Sequence, residues 1–170
     1  MKKLLIVVDM QNDFIDGSLG TKEAQAIVPK VAEKIRTYKE DGWDVIFTMD
    51  THKEDYLDSL EGKNLPVVHC VKGTNGWALH KEIDKFEGRR FEKETFGCLE
   101  CGRFASQKGY DQVELVGLCT DICVISNALL VKAAMPNTPV AVDSACCAGV
   151  TVESHDNALS SMKMCQIQIL

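Results

Sequence analysis

The chain has 170 residues, of which 45% are hydrophobic, and its formal net charge is −6. This length fits a single domain spanning residues 1–170, and no apolar run approaches the roughly 20 residues that a membrane span needs. A negative charge without any basic block argues against nucleic acid and anionic membranes as partners, and it favours a small molecule.

The chain contains eight cysteines and no recognisable signal peptide, which favours reduced thiols in a cytoplasmic protein over a disulfide framework. The apolar run at the N-terminus ends at Asp9 without a small-residue cleavage site, so it predicts a first β-strand. Cys98 and Cys101 form a C-x-x-C pair, a motif of redox or zinc sites, but no second pair follows at zinc-finger spacing. We expect most of the cysteines to be buried packing residues.

Strand and helix patterns alternate along the chain, which is typical of an α/β fold with a parallel sheet. Strands are predicted at 4–9, 44–50, 89–94, 112–117, 139–143 and 166–170, and helices at about 25–40, 99–108, 126–134 and 152–163. The polar segment 51–77 predicts a long loop, in which 67–70 could form a short strand. We therefore expect a three-layer α/β/α sandwich around a six-stranded, mainly parallel sheet, with ligands bound at the carboxyl ends of its strands.

The most informative stretch is 116–124, where Cys123 lies between a predicted strand and a predicted helix. Thr120 or Asp121 is a candidate N-cap for this helix. Backbone N–H groups and the helix dipole at such a terminus favour the thiolate over the thiol and can also bind an oxyanion. Cys123 is therefore a candidate nucleophile.

Three further polar residues lie near the ends of predicted strands, so we expect them at the same rim of the sheet as Cys123: Asp9, Asp50 and Lys93. In a nucleophilic site, Lys93 would stabilise the thiolate, and Asp9 would take the thiol proton and later deliver it to a leaving amine. Each residue also has a simpler interpretation. Asp9 could cap a turn, Lys93 could lie on a strand surface, and Cys123 could be an inert buried thiol.

Asp50, His52 and His69 are candidate metal ligands. Residues two apart in an extended segment face the same side, so Asp50 and His52 can bind one ion while His69 returns from the long loop. Two imidazoles and a carboxylate suit zinc, and they also suit iron or manganese when water completes the coordination shell. The alternative is a strand-ending aspartate with two loop histidines that never meet.

Three motifs, taken in order, resemble those of the isochorismatase-like cysteine hydrolases, a family that includes nicotinamidases and N-carbamoylsarcosine amidases: DMQNDF from Asp9, FEKETF around Lys93 and GLCTDICV around Cys123. The resemblance implies that these three residues form a catalytic triad. It also implies a cis peptide bond between Leu118 and Cys119, with the N–H groups of Cys119 and Cys123 as the oxyanion hole.

Within this family, the three candidate metal ligands match those of the nicotinamidases, whose divalent ion is usually zinc, iron or manganese and holds the pyridine nitrogen. Phe14 matches the aromatic residue that packs on the ring. The sequence departs from the family at Leu65-Pro66, which replaces a Trp-Pro pair and stands one residue further from the histidine. An aromatic wall is therefore missing or is supplied elsewhere, with Trp77 as the candidate.

The resemblance implies a nicotinamidase-like amidohydrolase that converts nicotinamide to nicotinate and ammonia through a thioester on Cys123. One alternative keeps the triad but changes the substrate to a carbamoyl or ureido amide, for which a metal-held pyridine nitrogen is unnecessary. An alternative of another class is a non-enzymatic thiol or metal sensor, suggested by the eight cysteines and the candidate metal ligands. The family also implies a homo-oligomer, and the Met- and Cys-rich final helix could serve as an interface or merely as core.

Overall fold

A computed structural model describes residues 1–170 and contains one six-stranded sheet. The strands are β1 (Lys3–Val8), β2 (Asp44–Asp50), β3 (Arg89–Lys93), β4 (Gln112–Leu118), β5 (Val140–Ala148) and β6 (Gln168–Ile169). Their spatial order is β3-β2-β1-β4-β5-β6, and every neighbouring pair is parallel. The expected α/β fold is confirmed, and the sheet is wholly rather than mainly parallel.

Seven α-helices accompany the sheet: α1 (Asn12–Ile15), α2 (Lys22–Glu40), α3 (Leu60–Asn64), α4 (Lys81–Asp84), α5 (Leu99–Lys108), α6 (Ile125–Ala134) and α7 (Val152–Met164). A 3₁₀ turn covers Tyr56–Asp58, and a π-helical turn covers Thr120–Val124. None of these helices combines the length and the apolar character that crossing a bilayer requires.

The two faces of the sheet carry separate hydrophobic cores, as a parallel sheet covered on both sides requires. Because side chains alternate along a strand, Leu5 and Val7 of β1 pack in the core that includes α2, while Leu4 and Ile6 pack in the core that includes α5 and α6. This arrangement gives the three layers expected from the sequence.

Some element boundaries differ from the sequence prediction. Helix α2 begins at Lys22 because the Thr21 hydroxyl caps it by accepting a 3.0 Å hydrogen bond from Ala24 N. Strand β5 continues to Ala148, and the loop after β2 contains the 3₁₀ turn and α3. The segment 67–70 is not a strand, although a single parallel bridge joins His52 to Val71.

The order of the strands in the sheet determines where the site lies. From β1 the chain moves outward to β2 and β3, and then it returns to the other side of β1 to form β4. The direction of winding therefore reverses between β1 and β4, and in such sheets a crevice opens outside the carboxyl ends of the two strands. Asp9 directly follows β1, and Cys119 and Cys123 follow β4, so these residues border the crevice.

A partly buried ion cluster ties α2 to the sheet. Lys34 Nζ lies 2.7 Å from Glu114 Oε1 and 2.8 Å from Asp143 Oδ2, and the Tyr38 hydroxyl donates a 2.6 Å hydrogen bond to Glu114 Oε2. Burial alone would raise the pKa of Asp143, but its hydrogen bond and charge interaction with Lys34 hold that pKa below its ordinary value. The cluster therefore depends on the lysine charge.

We expect Lys34→Met to lower the free energy of unfolding by about 2 to 3 kcal/mol at pH 7, because it leaves two largely buried carboxylates without their cation. Urea denaturation measures this loss, and Lys30→Met, at an exposed position of the same helix, is the matched control. The pair of Lys34 with Asp143 stabilises the fold only while Asp143 is ionised, and this pair lowers the pKa of Asp143, so the deficit should shrink as the pH falls below about 4. A deficit equal to that of Lys30→Met, or one that grows at low pH, would contradict this account.

Candidate active site

Strand register brings the predicted nucleophilic residues together at the carboxyl edge of the sheet. Asp50 and Lys93 are direct partners across β2 and β3, and Asp9 follows Val8, the last residue of β1. Lys93 Nζ lies 2.7 Å from Asp9 Oδ2, 3.2 Å from Asp50 Oδ1 and 3.6 Å from Cys123 Sγ. The lysine ammonium thus joins the thiol to both carboxylates.

Asp9 is fully buried and held from two directions. Its Oδ1 accepts a 2.6 Å hydrogen bond from the Thr48 hydroxyl, while Oδ2 faces Lys93. Its φ of +46° lies in the left-handed region, which aspartate tolerates better than most residues and which turns the chain away from the sheet after β1. Burial raises the pKa of Asp9, with Lys93 opposing and the charge of Asp50 adding to the rise. Asp9 is therefore suited to accept a proton.

Lys93 is only 5% exposed, and its ammonium donates a further 3.0 Å hydrogen bond to Thr95 O. Burial alone would lower its pKa, but the negative charges of Asp9 and Asp50 raise it above the ordinary value. Lys93 therefore carries a fixed positive charge beside the thiol and is unsuited to act as the base.

The turn after β4 presents Cys119 and Cys123 to the crevice. The peptide bond between Leu118 and Cys119 is cis, as the sequence resemblance implies. Glycine is the only residue type that fits at position 117, where φ is +119°, because a Cβ there would collide with Val8 O. The π-helical turn then carries Cys123 to its position facing Lys93.

Thr120 and Asp121, the two predicted N-caps, do not cap this helix. The Thr120 hydroxyl forms a 2.7 Å hydrogen bond with His155 Nδ1, and the Asp121 carboxylate accepts one of 3.1 Å from Val150 N. Both side chains thus tie the turn to α7 and to the segment before it, a tertiary role that local sequence cannot show.

The resting state of the Cys123 thiol also differs from the expectation that the helix terminus favours the thiolate. Burial and the negative charge of Asp9 raise the pKa of Cys123 well above its ordinary value, although Lys93 opposes the shift. Desolvation outweighs the helix dipole here, so the thiol keeps its proton until a base accepts it. Asp9 is the base within reach.

The three predicted metal ligands meet beside this centre. His52 Nε2 lies 3.0 Å and His69 Nε2 lies 3.5 Å from Asp50 Oδ2. A fourth residue, Glu61, places Oε1 at 3.6 Å from His52 Nε2 and 3.7 Å from His69 Nε2. One ligand atom from each of the four side chains lies within 4.8 Å of the others. The interpretation of two histidines that never meet is excluded.

The donor chemistry of this cluster fits a divalent metal ion. His69 Nδ1 lies 2.8 Å from Val67 O, and a carbonyl oxygen only accepts hydrogen bonds, so Nδ1 carries the proton and the Nε2 lone pair faces the cluster. Burial alone would raise the pKa of Asp50, but its hydrogen bond with His52 and the positive charge of Lys93 hold it below its ordinary value. Two imidazoles and two carboxylates are a donor set that zinc accepts.

One member of this cluster, Glu61, and one residue that supports it, Gln11, were not predicted from the sequence. Glu61 lies in the first turn of α3, which begins where the Ser59 hydroxyl accepts a 2.9 Å hydrogen bond from Gly62 N. Gln11 is fully buried and pairs with both main-chain groups of Asp50: Nε2 donates to Asp50 O at 2.8 Å, and Oε1 accepts from Asp50 N at 2.7 Å. Gln11 thus fixes the backbone of a candidate ligand. Ser59 as an N-cap residue, followed by Glu61 in the first turn, could have indicated α3, but not the direction of the Glu61 side chain.

A cavity of about 320 Å³ borders both the thiol and the metal cluster. Of the predicted site residues, those that line it are Phe14, Asp50, His69, Cys119 and Cys123. The rest of the wall is mostly apolar and includes Leu19, Leu65, Phe96, Ile122 and Val150. A small molecule with a polar end at the thiol and another at the metal cluster fits such a lining.

The expectation that Trp77 supplies an aromatic wall is not met, because Trp77 does not line the cavity. Its indole N–H donates a 2.9 Å hydrogen bond to Thr51 Oγ1, and its ring packs against the core that includes α2. Leu65, in the place of the family tryptophan, does line the cavity, as does Phe96, which was not predicted. The aromatic walls are therefore Phe14 and Phe96.

The C-x-x-C pair has a structural role. Cys98 is the N-cap of α5, and its sulfur accepts a 3.3 Å hydrogen bond from Cys101 N. Both side chains are buried, and Cys165 is the one exposed cysteine of the chain. The expectation that most of the cysteines are buried is confirmed.

Comparisons with known proteins agree with this geometry. The isochorismatase domain family matches residues 3–170. The nicotinamidase/pyrazinamidase of Mycobacterium tuberculosis is 28% identical to this chain over an alignment of 188 residues, gaps included. The alignment covers 99% of this chain and 98% of that protein. The structure of a pyrazinamidase of Pyrococcus horikoshii in complex with zinc has a TM-score of 0.83 and 30% identity, covering 100% of this chain and 99% of that one. An N-carbamoylsarcosine amidase from Thermoplasma acidophilum has a TM-score of 0.81 and 27% identity, covering 99% and 95%.

The fold and the site define a hydrolase that acts on carbon–nitrogen bonds. The chain belongs to the isochorismatase family.

If Glu61 is a metal ligand, Glu61→Gln should weaken zinc binding at least about tenfold, because a neutral amide replaces a carboxylate donor. Competition with a chromophoric chelator measures the affinity. Glu54→Gln, at an exposed position of the same loop, should bind zinc as the unchanged protein does. Equal affinity in both variants would exclude Glu61 from the ligand set.

Proposed function

We propose that this protein is a cysteine-dependent, nicotinamidase-like amidohydrolase that converts nicotinamide to nicotinate and ammonia. The observation that carries the proposal is that one cavity borders both the Cys123 thiol and the metal cluster. Asp50 connects the thiol centre with the metal cluster, since it is a candidate metal ligand and also contacts Lys93. A substrate that spans the two centres needs a carbonyl at one end and a metal-binding atom at the other, and nicotinamide has both.

In the proposed first step, the thiol proton moves from Cys123 to Asp9 as the sulfur attacks the amide carbonyl carbon. Lys93, 3.6 Å from the sulfur, stabilises the negative charge that develops there. The tetrahedral oxyanion is bound by the main-chain N–H groups of Cys119 and Cys123, which need no reorganisation to meet it.

The intermediate then collapses with cleavage of its carbon–nitrogen bond. Asp9 returns the proton to the departing nitrogen, so ammonia leaves and a thioester remains on Cys123. A water molecule, deprotonated by the same carboxylate, attacks the thioester carbon, and the carbon–sulfur bond breaks. The sulfur regains its proton from Asp9, and the carboxylic acid product dissociates as nicotinate.

Zinc is the proposed ion, with Asp50, His52, His69 and Glu61 as its protein ligands. Support comes from the donor set and from the related pyrazinamidase in complex with zinc. When bound, the ion would supply a coordination position for the ring nitrogen of the substrate. Phe14 lies beside this cluster, with its ring centroid 5.5 Å from that of His69, and would pack on the substrate ring.

A carbamoyl or ureido amide is the second candidate substrate. Two observations favour it: the likeness to an N-carbamoylsarcosine amidase, and the position of Trp77 outside the cavity, which leaves Leu65 where nicotinamidases typically have tryptophan. The metal cluster favours nicotinamide, because a carbamoyl substrate has no pyridine nitrogen to coordinate. Chelation of the metal should therefore raise the KM for nicotinamide and leave that for a carbamoyl amide unchanged.

Cys123→Ala should abolish ammonia release from nicotinamide by the zinc-loaded protein, because no other thiol faces Lys93. A coupled glutamate dehydrogenase assay measures the ammonia. Cys165→Ala, which removes the exposed thiol, should retain full activity. Near-normal release by Cys123→Ala would rule out the cysteine mechanism, and a wild-type protein inactive on every amide would support a sensor instead.

Asp9→Asn should lower kcat by about 10²- to 10⁴-fold, because an amide of the same shape can neither accept the thiol proton nor deliver it to the leaving nitrogen. Zinc affinity should stay close to normal, since Asp9 is not one of the four clustered ligands. The matched control is Asp156→Asn, at an exposed position on α7. If Asp9→Asn retained more than a tenth of the activity, a different group would have to move the proton.

A further inference from the structure

Asn127 is a buried amide that makes three hydrogen bonds, all to main-chain atoms. It lies on α6, one turn after Cys123, and is 1% exposed. Its Oδ1 accepts from Cys98 N at 2.9 Å, while Nδ2 donates to Phe96 O at 3.1 Å and to Cys123 O at 2.8 Å. Bonds to main-chain atoms fix the course of the backbone rather than the rotamer of a neighbour.

These bonds join two segments that each carry part of the site. Residues 94–98 follow Lys93 directly and contain Phe96, which lines the cavity. The turn 119–124 carries the nucleophile. The first segment also packs on α6 at Gly97, where a Cβ would meet the side chain of Leu130. Asn127, on the same helix, therefore links the segment that follows the lysine to the turn that carries the thiol.

We propose that Asn127 is a positioning residue, which sets the separation of the Lys93 ammonium from the Cys123 sulfur by fastening the two segments together. Its effect on catalysis rests on the proposed function, whereas its effect on the thiol does not. Lys93 Nζ also donates to Thr95 O within the fastened segment, so a shift of that segment moves the ammonium. A displacement of about 1 Å at a reacting group can cost about 10²-fold in rate.

The amide is matched to this task because it accepts on one side and donates twice on the other. Leucine fills a similar volume but makes none of the bonds, and it leaves the N–H of Cys98 and the carbonyls of Phe96 and Cys123 with fewer partners. An aspartate keeps the acceptor for Cys98 N but, when ionised, presents an oxygen to the two carbonyls. The two replacements thus separate the donated bonds from the accepted one.

The test compares Asn127→Leu and Asn127→Asp with Val131→Ala, which removes buried packing one turn further along α6. For each zinc-loaded protein, the measurements are Tm, kcat and KM for nicotinamide, and the alkylation rate of Cys123 by iodoacetamide, followed by peptide mass spectrometry. We expect both Asn127 variants to lose about 10- to 100-fold in kcat and in alkylation rate, with KM changed less than kcat. Val131→Ala should lower Tm while both rates stay within about twofold of the unchanged protein.

The aspartate variant is expected to recover part of its Cys123 reactivity at low pH. As the pH falls, the introduced carboxyl group becomes neutral and can donate a hydrogen bond. The alkylation rate of Cys123 in Asn127→Asp, relative to that in the unchanged protein, should therefore rise. This variant also carries the test if Asn127→Leu fails to fold. The proposal is overturned if the Asn127 variants resemble Val131→Ala, with a lower Tm and nearly unchanged rates. Because alkylation needs no amide hydrolysis, a protein inactive on nicotinamide whose thiol still responds to Asn127 would refute only the proposed function.

Discussion

The buried ammonium of Lys93 is the interaction on which the rest of the site depends. Removing a charged group from water costs several kcal/mol unless partners replace the lost hydration, and Lys93 has Asp9, Asp50 and Thr95 O as partners. Asp9 and Asp50 lie at the ends of two neighbouring strands, β1 and β2, and Thr95 lies in the segment after β3. Correct sheet register is therefore a condition for burying the lysine. The buried ammonium in turn pairs with both carboxylates and fixes their positions.

The same ammonium links two kinds of chemistry. On one side it faces Cys123, whose thiol keeps its proton because burial and the charge of Asp9 raise its pKa. On the other side it contacts Asp50, whose second oxygen faces the two histidines. A substrate in the cavity can thus meet a nucleophile and a metal-binding cluster at once.

Much of this site could be predicted from the sequence because it depends on strand ends. The apolar runs before Asp9 and Asp50 predicted parallel strands, and the carboxyl ends of such strands meet at one edge, so the convergence of Asp9, Asp50 and Lys93 followed. Loop residues could not be placed in this way. The positions of Glu61, Phe96 and Trp77 are set by tertiary contacts of segments without periodicity. The pKa of Cys123 was mispredicted for a related reason, since burial outweighs the local helix dipole and is not visible in a short motif.

The most direct test is rapid-quench mass spectrometry of the zinc-loaded protein during turnover of nicotinamide. The account predicts a nicotinoyl group on the peptide that contains Cys123, formed and lost at rates at least as fast as kcat. Turnover without any adduct on Cys123, at quench times short enough to capture one at those rates, would contradict a covalent mechanism. The thiol would then have no role as a nucleophile.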